Sequence, residues 1–332
     1  MATDPNDPTD QGPDELQAAI AEVDAVEPAG HEAAHGTRLV GDEPAAAPVP
    51  APVPPKRSGA RVVLSNIGTY LLLTLLSLII LFPIYMLILR ALSAPIAYIT
   101  AGQPLHPVDI QWDVFSNAFT QANLGRAMGL SFVVTMVIVL AQLLTATLAA
   151  YAFAFLEFPG KTLMFVVVVG TLLLPIEVTL IANVEIIRTL GFLNSVQGLT
   201  LPFLATALGI FLIRQGFLGI PKDLRDASEL DGYGHLRFLF RVAVPMTKPI
   251  IGSFVVISFL GAWNQYVWPR FATDENEWQT VQVALRTISG ENPDQLNLGF
   301  AAAIIAAIPL LILLIFFQRQ IVRGLTAGAV KG

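Results

Sequence analysis

Two histidines bracket a glutamate in the stretch HEAAH, His31 to His35. The spacing matches H-E-x-x-H, in which two imidazoles one helical turn apart hold zinc and the glutamate activates its water. The surroundings argue against that chemistry. The stretch lies in an Ala- and Pro-rich run without apolar periodicity, and no third ligand is apparent. It reads as a chance match, capable at most of weak, adventitious binding of a divalent metal. No catalytic residue and no metal site is assigned. The chain has no cysteine, which removes disulfides, thiolate ligands and a thiol nucleophile. It also has no G-x-x-x-x-G-K-[ST], so it carries no phosphate cradle of its own.

Other polar side chains stand inside apolar runs. Glu177 lies in LLLPIEVTLIANVEII, followed by Asn183 and Glu185. A carboxylate at membrane depth is costly and faces an interior or water. It lines a pathway or braces two subunits; alternatively it pairs with a helix N-terminus near Pro175 or sits nearer the interface. The stretch WNQYVWPR, Trp263 to Arg270, mixes amides with flat rings. That mixture suits polyols and sugars, and it also suits an aromatic belt at the outer interface. Asn264 and Gln265 are read as pathway groups and Trp268 as a belt residue. Gln142 is a weaker pathway candidate, because one buried amide often only bonds a neighbouring helix.

The densest constellation is DASELDGYGHLRFLFRVAVPMTKP, Asp226 to Pro249, between two apolar runs. Pro221 suits a first helical turn, and a short helix can carry Leu224, Ala227, Ser228 and Glu229. Asp231-Gly232 supplies a turn. A second helical piece from His235 to Val244 places Leu236, Leu239 and Phe240 on one apolar face, and Pro245 and Pro249 set the approach to the next span. Such a hairpin exposes apolar surface unless something covers it. Lipid headgroups are one possible cover.

The elements that must hold these residues are membrane helices. The chain of 332 residues is 54% hydrophobic and only 13% charged, with a mean hydropathy of +0.65. Soluble domains carry about 25% charged residues. Six apolar segments, near 63–90, 127–151, 162–184, 199–218, 249–269 and 297–318, approach the length of about 20 residues that a bilayer requires. Pro83 is expected to kink the first. Residues 1–55 hold eleven acids against one base, Arg38, a balance of −10; the remaining 14 acids and 18 bases give +4. This Ala/Pro-rich tail has no aromatic residue and is expected to be disordered over 1–60. It lacks a cleavable signal, so the first span is expected to act as an uncleaved anchor. With the N-terminus inside, fourteen Lys and Arg fall on the cytoplasmic side and five outside (Arg90, Arg126, Arg188, Arg270, Arg286). The positive-inside rule therefore puts both termini in the cytoplasm, the Asp226–Pro249 segment inside and the loops near 91–126 and 270–296 outside.

The segment DASELDGYG followed by VPMTKP resembles the E-A-A-x-x-x-G signature, with its later L-P, of ABC importer permease subunits. Ala227, Asp231, Gly232, Gly234, Phe238, Arg241, Pro245 and Pro249 fall on expected positions. Asp226 stands where the family has Glu, Ser228 where it has Ala, and Tyr233 where it usually has Ala. The resemblance covers about residues 65–325. LLLPIEVTL, LGFLNSVQGLTLP, IFLIRQGF, IPKDLRDASELDG and WNQYVWP look like the carbohydrate-uptake branch, and PIEV and WNQYVWP look most like its sn-glycerol-3-phosphate importers.

The resemblance implies an all-α integral membrane protein with six spans, in the type I ABC importer permease fold. Residues 63–126 would form the first helix and external loop, and 127–318 a core of five spans with a coupling loop near 219–248. Residues 319–332 would be a cytoplasmic tail. Asp226, Ala227, Ser228, Glu229, Asp231, Gly232, Tyr233, Gly234, Phe238 and Pro245 would then couple to the ATPase. Implied partners are a second permease, two ATP-binding subunits, an extracytoplasmic solute-binding protein and membrane lipid, with no nucleic acid. The chain would hold no cofactor, ATP and magnesium belonging to the ATPase, and would sit as a multi-pass protein of the cytoplasmic (inner) membrane. Two other classes stay open: a membrane-embedded enzyme acting at the bilayer interface, which needs a clustered acid–base or metal set, and a solitary ion-coupled carrier, which would often show an internal repeat.

Overall fold

The computed structural model describes residues 59–120, 123–291 and 295–326. The HEAAH stretch, residues 1–58 of the acidic tail and residues 327–332 lie outside the described residues.

The described residues are almost all helical. Helix α1 is Gly59–Leu92, and two short helices, α2 (Pro95–Thr100) and α3 (Val114–Thr120), follow it. Helix α4, Leu124–Phe155, is an unbroken rod of 32 residues. Then come α5 (Lys161–Gly170), α6 (Ile176–Thr189), α7 (Val196–Thr200) and α8 (Ala207–Leu218). The short pieces α9 (Lys222–Leu230), α10 (His235–Phe238) and α11 (Val244–Met246) lead to α12 (Lys248–Trp263). Helices α13 (Val267–Ala272), α14 (Val281–Glu291) and α15 (Leu296–Thr326) complete the order.

Among the described residues, three helices are long and apolar enough to cross a membrane: Asn66–Leu92 within α1, α4, and Leu296–Gln318 within α15. Three bent pairs raise the total to six at most. The apolar segment expected over 162–184 is not one straight helix. The chain runs through α5 and a 3-10 turn, Thr171–Leu173, and then bends by 98° into α6. Pro175 explains the break. It has no N–H to donate and drives the preceding residue out of the helical region; Leu174 accordingly lies at φ −84°, ψ 116°. The 199–218 segment is likewise bent by 49° before α8, where Thr206 is extended at φ −144°, ψ 128°. The helix expected over 249–269 stops at Trp263 and resumes as α13. By contrast, Pro83 and Pro309 both sit inside continuous helices.

Helix α4 is the axis of the core. Leu124 and Val139 join a cluster with Phe259, Trp263 and Leu298. Val134 and Ile138 join another with Ile187, Leu199 and Trp268. Ala146, Ala150 and Phe153 join a third with Ile213, Phe217, Phe238 and Phe254. Close approach of α8 is licensed by Gly209: a Cβ there would lie 2.5 Å from the Phe254 ring and 2.9 Å from the Ala146 Cβ. Helix α1 differs. Every side chain from 66 to 85 is exposed. A helix apolar on all faces needs hydrocarbon or another protein around it.

Trp268 is not a belt residue. It is 3% exposed, its indole N–H donates to the Gly198 carbonyl at 3.1 Å, and its ring meets Phe203 edge-on. The polar end of the indole is satisfied inside the protein, so the side chain needs no water interface.

Candidate functional site

Helices α9 and α10 form the hairpin that the sequence pattern anticipated. Pro221 caps α9 rather than occupying its first turn. Asp223 stands in that first turn, favourably placed against the helix dipole. The helix ends in a Schellman pattern. The Gly232 N–H donates to the Glu229 carbonyl at 3.0 Å and the Tyr233 N–H to the Ser228 carbonyl at 2.9 Å. Gly232 has φ 75°, and a Cβ there would meet nothing within 4 Å. Backbone conformation alone, not crowding, calls for glycine at this turn.

The second limb departs from the expected apolar face. Leu239 is fully buried, with Phe238 and Ala243 beside it, whereas Leu236 and Phe240 are 65% and 54% exposed. Leu239–Ala243 form a single π-helical turn, which widens the spiral. The inward face passes through Phe238, Leu239 and Ala243 into the cluster around Ile213 and Phe217. Leu236 and Phe240 are left outward, and Leu230 at the end of α9 is 90% exposed.

Among the residues expected to couple, Asp226, Ala227, Glu229, Asp231, Gly232 and Gly234 are exposed, Tyr233 and Pro245 are half-buried, and Ser228 and Phe238 are buried. The Ser228 hydroxyl donates to the Arg225 carbonyl at 2.7 Å. Arg237 lies over the Tyr233 ring at 4.1 Å. Two fastenings to α4 were invisible in the motif. Arg225 donates through Nη1 to the Phe155 carbonyl at 2.9 Å and through Nε to Glu229 at 3.0 Å. The Tyr151 hydroxyl and His235 Nδ1 are 3.0 Å apart. Phe155 closes α4, so its carbonyl has no partner within the helix and awaits a donor. No local pattern announces which distant arginine supplies it.

The pathway candidates do not form one cluster. Glu177 is exposed in the first turn of α6, directly after the Pro175 break. Asn183, half-buried two turns on, donates to Thr179 at 3.4 Å. Asn264 is exposed, donates to the Leu260 carbonyl at 2.9 Å and accepts from Gln282 at 3.2 Å. Gln265 is half-buried with its Oε1 unpartnered. Gln142 uses both ends of its amide. It donates to the Phe203 carbonyl at 2.8 Å and accepts from Ser258 at 2.7 Å, so it ties α4 to α12 and to the bend before α8.

Known proteins resemble this chain in sequence and fold. Residues 133–327 match the family described as binding-protein-dependent transport system inner membrane component. The sn-glycerol-3-phosphate transport system permease protein UgpE of Yersinia pestis is 33% identical over 268 residues, spanning 78% of this chain and 95% of its own. Its counterpart from Brucella abortus is 32% identical over 270 residues, spanning 79% and 96%. A chain in the crystal structure of a bacterial ABC transporter involved in the import of the acidic polysaccharide alginate superposes with a TM-score of 0.68 at 22% identity, covering 80% of this chain and 99% of that one. With the family pattern covering more than half of its length and relatives matching over nearly all of theirs, this chain belongs to the inner-membrane components of binding-protein-dependent transport systems, as a permease subunit of an ABC importer.

Proposed function

We propose that this permease carries sn-glycerol-3-phosphate, or a chemically close polyol or sugar derivative, across the cytoplasmic membrane. It does so with a second permease chain, two ATP-binding subunits and a solute-binding protein outside. The observation that carries the choice of solute is the match over nearly the whole length of sn-glycerol-3-phosphate permeases. Both termini lie in the cytoplasm, as the distribution of Lys and Arg favours. The chain performs no covalent chemistry and holds no cofactor. ATP and magnesium bind the partner subunits, since this sequence has no phosphate-cradling loop.

The α9–α10 hairpin is the element that docks on the ATPase. Its outward Leu230, Leu236 and Phe240 need a cover, and the hairpin's other face is already spent on its own core. Glu177, Asn183, Asn264 and Gln265 are the pathway candidates, with Gln142 as a brace between spans. Uptake of labelled sn-glycerol-3-phosphate by the reconstituted complex, with a disaccharide as competitor, tests the assignment. Saturable uptake that the disaccharide does not displace is expected. Uptake of the disaccharide in preference overturns the choice of solute, and failure of an ATPase to co-purify overturns the docking role.

A further inference from the structure

Helix α4 runs past all three core clusters. At about 1.5 Å per residue, its 32 residues extend about 48 Å, well beyond a hydrocarbon layer of about 30 Å. At its outer end Arg126 meets the Glu277 carboxylate through Nη2 and the Glu277 carbonyl through Nε, both at 3.0 Å. One turn further in, the Ser131 hydroxyl accepts from the Val281 N–H at 2.7 Å. At its inner end Tyr151 and Phe155 stand one turn apart with ring centroids 5.1 Å apart. One limb of the hairpin is fastened at each: Arg225 to the Phe155 carbonyl, and His235 to the Tyr151 hydroxyl.

The two fastenings are unequal in what backs them. Phe238 and Leu239 bury the middle of the second limb. Its beginning has no such support: His235 and Leu236 are exposed. A cavity of about 280 Å3 opens between the limbs, bordered by Tyr151, Arg225, Glu229, Tyr233 and His235. Phe238 packs on the Tyr151 and Phe155 rings at the end of α10, and the Tyr151–His235 hydrogen bond adds a directional tie at its first residue. Either imidazole tautomer keeps it, because a phenol hydroxyl both donates and accepts.

We propose that Tyr151 is a positioning residue for coupling: its hydrogen bond to His235 locks the second limb of the hairpin to α4, so that a displacement at the outer end of α4 reaches the ATPase as movement of the hairpin. This rests on the hairpin being the ATPase-docking element. A single stiff helix that touches both sites, packed along its length, transmits displacement without a relay of separate parts.

The test is the number of sn-glycerol-3-phosphate molecules transported per ATP hydrolysed in the reconstituted complex of both permeases, the ATP-binding subunits and the binding protein. Tyr151→Phe keeps the ring and removes only the hydroxyl, and is expected to lower the ratio about fivefold, the scale set by one hydrogen bond. His235→Leu should match it, and the double variant should be no worse than either single one. His235→Asn, which returns an amide near the Nδ1 position, should recover most of the ratio. An unchanged ratio in Tyr151→Phe overturns the proposal. So does a parallel fall in transport and hydrolysis, or strictly additive losses, since these mark a merely structural contact. Co-purification of the ATPase with the unaltered chain is scored separately; its failure overturns the docking role and this inference together, whereas normal co-purification with an unchanged ratio overturns the inference alone.

Discussion

Gly232 offers the sharpest perturbation of the hairpin. Its φ of 75° closes the Schellman turn at the end of α9, and a side chain there would point into open space. A substitution is therefore opposed only by the backbone. An L-residue in the left-handed region costs about 1–2 kcal/mol, with a β-branched one at or above the upper end. About 2 kcal/mol is roughly a thirtyfold shift in the local equilibrium. Apparent affinity falls in proportion to the population of the competent conformer. Gly232→Val should thus weaken ATPase capture by up to about thirtyfold and Gly232→Ala by about fivefold. Gly232→Asn, which enters the left-handed region more readily, should stay closest to the unaltered protein. The membrane part and its binding to the second permease should survive, because Gly232 is exposed and carries no packing. The assays are titration of the ATPase onto the permease pair and ATP hydrolysis stimulated by the solute-loaded binding protein. Full stimulation in Gly232→Val refutes the docking role. An Asn variant as damaged as the Val variant refutes the conformational reasoning, since bulk at the surface would then be the cause.

Three further outcomes are expected. Glu177→Leu should reduce uptake with expression intact, if the exposed carboxylate after the Pro175 break lines or braces the pathway; unchanged uptake kinetics would make it incidental. Gln142→Leu strands the Phe203 carbonyl and the Ser258 hydroxyl and should cost about 1–3 kcal/mol, read as a lower unfolding temperature in detergent with transport per folded complex preserved. Altered solute preference there would turn the brace into a lining group. Deleting residues 1–55, with their balance of −10, should leave assembly and uptake intact, and lost assembly would give the segment a structural part.

Membrane-spanning helices were legible because hydrocarbon imposes one crude requirement, a long run without charge. Their breaks were not. Pro83, Pro175 and Pro309 look alike in sequence, yet only Pro175 separates two helices at a right-angle bend. The difference lies in what the neighbouring helices can supply to the freed backbone groups, and a one-dimensional pattern does not contain that. The hairpin shows the same division. Its turn was readable, since Asp-Gly ahead of a new helix has few other uses. Its buried face was not, because LRFLFRVA offers two apolar stripes and the π turn at Leu239–Ala243 decides between them. Trp268 was misplaced for a related reason. An aromatic near a span end fits a belt by position, but its burial depends on Gly198 and Phe203, seventy and sixty-five residues away.

The hairpin's first limb differs in charge from its second, and the first bears on the choice between the two possible covers. A helix resting on lipid headgroups is favoured by basic residues on its polar face, since the cytoplasmic leaflet is negative. Between Lys222 and Asp231 there are four acids, Asp223, Asp226, Glu229 and Asp231, against Lys222 and Arg225, whereas the second limb carries Arg237 and Arg241 and no acid. Arg225 is already committed to Glu229 and to the Phe155 carbonyl. An anionic surface would repel this segment just where Leu230 protrudes, 90% exposed. A protein cleft that offers an apolar floor for Leu230 and basic groups beside the first-limb acids satisfies both features of that limb at once. Burying Leu230, Leu236 and Phe240 contributes about 1.5–3 kcal/mol each against the cost of association. The acidic first limb and its apolar tip therefore favour a protein partner over lipid at Leu230, whereas the basic second limb suits either cover.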